Sequence, residues 1–82
     1  MKYQSTPEEI RSMALEMIRD KLKELREFQF ETLIAEHLSY VCGTLSGLMW
    51  ADVISHGEYI ALTHMAANAY RRRADEFTTG AV

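Results

Sequence analysis

The five residues "EFQFE", 27 to 31, decide whether the first half of this chain is one helix or two. At about 100° per residue from Glu16, the apolar residues Ala14, Met17, Ile18, Leu22, Leu25 and Phe28 cluster between roughly 100° and 240°. Beyond them Phe30, Ile34, Leu38, Val41, Leu45 and Leu48 fall within about 40° of zero on the same scale. The apolar face therefore crosses to the opposite side of the helix near "EFQFE", and one straight helix cannot bury both faces against one neighbour. Two solutions follow. The helix breaks there and folds back into a three-helix bundle, or it continues for about 45 residues, roughly 67 Å. A continuous helix leaves the apolar face of residues 10–28 for a second chain. No Gly, Pro, Asn or Asp marks a turn between residues 26 and 32, so both remain open.

The helix starts are well marked. In "TPEE" Thr6 is the N-cap, Pro7 the first helical residue and Glu9 the third, a capping box with the preferred proline. In "ISHGEY" Ser55 caps, Glu58 reaches back, and Ile54 and Tyr59 have hydrophobic-staple spacing. No strand alternation or internal repeat is visible. The sequence predicts an all-α domain over residues 1–82, with helices about 7–28, 29–51 and 55–77. The first two are either continuous or broken, and 78–82 form a frayed tail.

Between His37 and Asp52 lie fourteen uncharged residues, two of them glycine. A membrane span needs about 18 to 20 apolar residues, and this run is too short and carries Ser39, Thr44 and Ser46. As a helix it sets Ser39, Gly43, Gly47 and Ala51 on one stripe. Each glycine costs about 1 kcal/mol relative to alanine, so a compensating contact is expected. A stripe of small residues permits close helix approach, and the alanine-rich last helix, with Leu62, Ala66, Ala69 and Tyr70 facing inward, is the expected mate. Residues 37–51 and 56–77 then form a tight antiparallel hairpin in a bundle expected to be dimeric.

At 82 residues the chain has room for one small core. Its 48% hydrophobic and 26% charged content fits a folded domain, not a disordered one. The net charge of −3 offers no general attraction to nucleic acid or anionic membrane. A single Cys42 excludes an internal disulfide, and the N-terminus has no apolar run like a secretory signal. Together they point to a reducing, cytoplasmic setting.

No motif carries catalysis. His37, His56 and His64 lack metal-binding spacing, Cys42 sits in an apolar run without an activating cation, and no cofactor is expected. Candidate contacts are therefore surface features. Glu16, Asp20, Glu24, Glu27 and Glu31 fall within about 80° of one another if helical phase persists, an acidic face suited to a basic partner. Arg71, Arg72 and Arg73 make the one basic cluster, fitted to acidic protein groups or, across a dimer, to nucleic acid. Trp50, if exposed, is an interface anchor.

Residues 43–73, "GTLSGLMWADVISHGEYIALTHMAANAYRRR", resemble a pattern in small α-helical accessory proteins of phages and prophages. In that pattern a Gly-bearing helix ends in "G/A-x-I-S", here "ADVIS", a Glu follows in the next helix, and the chain ends in Ala and Arg. The resemblance implies a non-enzymatic protein that binds and inhibits or redirects a host protein, as anti-CRISPR proteins and inhibitors of host surface-appendage motors do. It transfers no functional residues. The alternatives are a small dimeric nucleic-acid-binding regulator using Arg71 to Arg73 and a purely structural self-assembly module.

Overall fold

The computed structural model describes residues 5–80. Helix α1 spans Pro7–Arg26, α2 Ile34–Trp50 and α3 His56–Thr79, with one 3-10 turn at Glu31–Leu33 leading into α2. There is no strand among the described residues, and the fold is all-α. No helix among them is long and apolar enough to cross a membrane.

The chain breaks at "EFQFE". Helix α1 stops at Arg26, and Phe30 has extended backbone (φ −116°, ψ 100°). A break needs other partners for the carbonyls that would have bonded the next turn. Gln29 Nε2 donates to the Glu27 carbonyl at 3.1 Å, and Arg73 Nε donates to the Phe28 carbonyl at 2.6 Å. The second donor comes from α3, far along the chain. No local glycine or proline is required.

With the chain reversed, both apolar faces turn inward. Ile18 and Leu25 from α1, Ile34, Val41 and Leu45 from α2, Ile54 from the second turn and Ala66 from α3 form one core. Leu25, Leu45 and Ala66 are wholly inaccessible. The fold-back buries Ala14, Ile18 and Leu25 of α1 within the chain, while Ile10, Met13 and Met17 on the same helix stay exposed. Phe30 departs from the expected α2 face. It precedes that helix, so helical phase does not govern it, and it is 62% exposed.

Helices α1 and α3 run parallel, with α2 antiparallel to both. Arg11 near the start of α1 binds Glu58 near the start of α3 through two hydrogen bonds, one of them Nη1 to Oε1 at 2.8 Å. Arg26 at the end of α1 binds Glu76 through two more, at 2.8 and 2.6 Å. Arg73 Nη1 adds a third donor to Glu76 at 3.0 Å. Glu58 also accepts the Ser55 amide at 2.8 Å as half of the second capping box, so one carboxylate both caps α3 and anchors α1. The Thr6–Glu9 box closes α1 in the same way.

The turn after α2 satisfies that helix's last carbonyls. Asp52 takes the left-handed conformation (φ 60°), its amide bonding the Met49 carbonyl while the Val53 amide bonds that of Leu48. This is a Schellman motif, with aspartate in the place glycine usually fills. The end of α3 also differs from expectation: Thr78 and Thr79 are helical, and Gly80 (φ 75°) is a left-handed cap whose amide bonds Glu76. Of the frayed tail expected at 78–82, Ala81 and Val82 lie outside the described residues.

The glycine stripe is a correction. Ser39, Gly43, Gly47 and Ala51 are all exposed, and a Cβ built on either glycine meets nothing within 4 Å beyond its own helix. At about 100° per residue the stripe lies roughly opposite Val41 and Leu45 on α2, so the two sets cannot face the same mate. Helix α3 packs on the larger residues, presenting buried Ala66 and half-buried Ala69.

Three outcomes follow from these contacts. Arg11 first, then the Ser55 amide, holds the Glu58 carboxyl down to about 2 from an ordinary 4.5. Arg26 and then Arg73 do the same for Glu76, also to about 2. Carboxyls that titrate lower folded than unfolded stabilise fully above their unfolded value and lose that contribution as pH falls through the folded one. Urea midpoints should hold from neutrality down to about pH 5 and drop between about pH 5 and 2, less steeply in high salt. A midpoint unchanged over that window would count against both pairs. Arg73→Ala should cost about 2 kcal/mol in urea denaturation, and Arg73→Lys should recover only part of it. Gly43→Ala and Gly47→Ala should each stabilise the isolated chain by about 1 kcal/mol; destabilisation would mean that the stripe is packed after all.

Candidate functional site

The reversal at residues 27–33 leaves Phe28, Phe30 and Leu33 on a connection too short to bury them all. Phe28 is half-buried and becomes a hub. Its ring stacks on His37 at 4.7 Å between centroids (21°) and meets Phe30 edge-on at 6.1 Å (77°). His37 continues the stack to Tyr40 at 5.9 Å. Phe30, Leu33 and Tyr40 around Phe28 are exposed to solvent.

Carboxylates border this group. Glu24 and Glu27 flank one shallow concavity of about 260 Å³, completed by Phe28, Gln29 and Phe30. Glu36 flanks a second of about 270 Å³, completed by Phe28, Leu33, His37 and Tyr40. Glu31 opens the 3-10 turn that follows Phe30. The neighbouring cation is Lys21, whose Nζ lies 3.7 Å from Glu24 Oε1 and 5.0 Å from the centre of the Tyr40 ring. The buried Nε2 of His37 lies 3.1 Å from the same Glu24 oxygen without the alignment of a hydrogen bond.

The fold divides the residues that the sequence singled out. The acidic face is not one helical stripe, because α1 ends before Glu27. Glu16, Asp20 and Glu24 stay on α1 and all are exposed, while Glu27 and Glu31 belong to the reversal. Arg73 is no surface contact. It is bound to the Phe28 carbonyl and Glu76, with its guanidinium 4.5 Å from the Phe77 ring centre. Arg71 and Arg72 are exposed, and Arg71 Nη2 donates to Asn68 at 2.7 Å. Trp50 is 80% exposed at the last position of α2, beside half-buried Met49. It lies about 24 Å along the helix from Ile34, at the far end of the bundle from Phe30.

The far end also holds a wider concavity of about 520 Å³ between the start of α1 and the α2–α3 turn. Three of its polar side chains are committed, since Arg11 and Glu58 bind each other and Ser55 Oγ caps α3, while Glu8 and Asp52 complete its lining. Among the described residues no three His, Cys, Asp or Glu side chains gather as metal ligands would. Sequence reasoning did not see the Phe28–His37–Tyr40 stack. The only signal was two phenylalanines and a leucine spaced through a region whose helical phase fails.

Comparison with protein-family models, with curated proteins and with solved structures finds no match to this chain.

Proposed function

We propose that the chain is a small non-enzymatic protein-binding module, a phage-type inhibitor that occludes a host protein in the bacterial cytoplasm. The observation that carries the reading is the solvent-facing group Phe30, Leu33 and Tyr40, held on the Phe28–His37 stack and bordered by carboxylates. Exposed aromatic residues in a rigid setting supply binding energy at little entropic cost, and a polar rim adds selectivity. Residues 27–33 are pinned by Arg73 and Gln29, so the surface is preorganised. Occlusion needs nothing more than such a surface.

Self-association is the second reading, favoured by the outward face of α2. That face carries exposed Ser39, Gly43, Gly47 and Trp50 with no charge among them. Light scattering decides it: a homodimer doubles the mass, and Trp50→Ser restores the monomer.

The binding reading is tested by capture from bacterial lysate with paired variants. The wild-type chain should retain a stoichiometric protein that is lost with Glu24→Lys/Glu27→Lys and kept with Arg71→Ala/Arg72→Ala. Helicity should be unchanged in both pairs, because all four side chains are exposed. Equal capture by the charge-reversed chain would remove this surface from the function.

A further inference from the structure

The two concavities at the reversal share a single residue, Phe28. Each concavity pairs apolar walls with carboxylates at its edge: Phe28 and Phe30 with Glu24 and Glu27, and Phe28, Leu33 and Tyr40 with Glu36.

Charge then selects among occupants. Glu27, Glu31 and Glu36 are exposed, and Glu24 is more than half so. Arg26 and Arg73 both spend their hydrogen bonds on Glu76, with Arg26 also attracted to Glu27, and exposed Lys23 lies one helical turn before Glu27, so the border keeps an excess of carboxylates. Lys21 is set against Glu24 and the Tyr40 ring. The surface is therefore apolar at its centre and negative around it.

We propose that it receives a short amphipathic segment of another protein, with apolar side chains set against Phe30, Leu33 and Tyr40 and lysine or arginine beside them. This rests on the protein-binding reading and narrows it from an unspecified protein surface to a linear basic segment. Basic residues beside the anchors would meet Glu24, Glu27, Glu31 and Glu36, speeding encounter and fixing direction.

The test uses the whole chain labelled with nitrogen-15 and three synthetic peptides of about 15 residues, long enough to form a helix on contact. The first is an amphipathic peptide of leucine and lysine. The second replaces leucine by serine and keeps the charge, and the third replaces lysine by glutamate and keeps the apolar face. The first should shift amide signals within residues 24–40, and both controls should bind at least about tenfold more weakly. Phe30→Ser and Glu27→Lys/Glu36→Lys should each weaken the first peptide by a similar factor with helicity intact.

Equal binding of the glutamate peptide would overturn the basic specification. So would shifts centred on Gly43, Gly47 and Trp50, although protein binding at another face would then survive. No shift at millimolar peptide would overturn the segment proposal, and the lysate capture would still report separately on the wider reading. Signals within 24–40 that move with the concentration of the chain alone would make the occupant a second copy and overturn it too.

Discussion

The hydrogen bond from Arg73 to the Phe28 carbonyl, with the Glu76 carboxylate drawing in Arg26 and Arg73 beside it, makes the reversal of the chain possible. Without a donor for that carbonyl, the first two helices have every local reason to remain joined, because their sequence is rich in good helix formers. A joined helix would leave one apolar face without a mate. The contact thus converts two opposed apolar faces into one shared core. Residues 27–33 are held in the shape that exposes Phe30 as part of the same arrangement.

Much of the secondary structure was legible because capping is local. Thr6 with Glu9 and Ser55 with Glu58 announce both helix starts within four residues, and both boxes form. Apolar phase also identified most of the core, including Ile18, Leu25, Val41 and Leu45. The break was not legible in the same way. Its determinants are a guanidinium from the last helix and a glutamine side chain turned back on its own strand of chain, and neither alters the pattern around "EFQFE". The glycine stripe shows the opposite failing. Its orientation was computable, since the angles that grouped Val41 and Leu45 put Gly43 and Gly47 on the other side. The stripe accordingly faces away from the core.

Charge is sorted by the fold in a way that composition hides. The sequence carries nearly balanced acids and bases, twelve against nine. Arg11 and Arg26 are drawn into ties between α1 and α3, consuming Glu58 and Glu76, and Arg73 pairs with Glu76 within α3. The carboxylates around Phe28 have no such duty. An uneven surface arises from an almost even sequence because the structural arginines are concentrated along one helix pair. The candidate site was legible in its glutamates but not in its aromatic centre, which exists only where helical phase fails.

The dependence of residue 28 on residue 73 also orders events during synthesis. The chain leaves the ribosome from its N-terminus, so the segment that must bend is complete well before the side chain that stabilises the bend. Until the third helix emerges, residues 7–50 lack both the donor for the Phe28 carbonyl and the carboxylate that holds Arg26. Only α3 supplies them, so the bend at Phe28 and the surface built on it wait for a helix that is synthesised later.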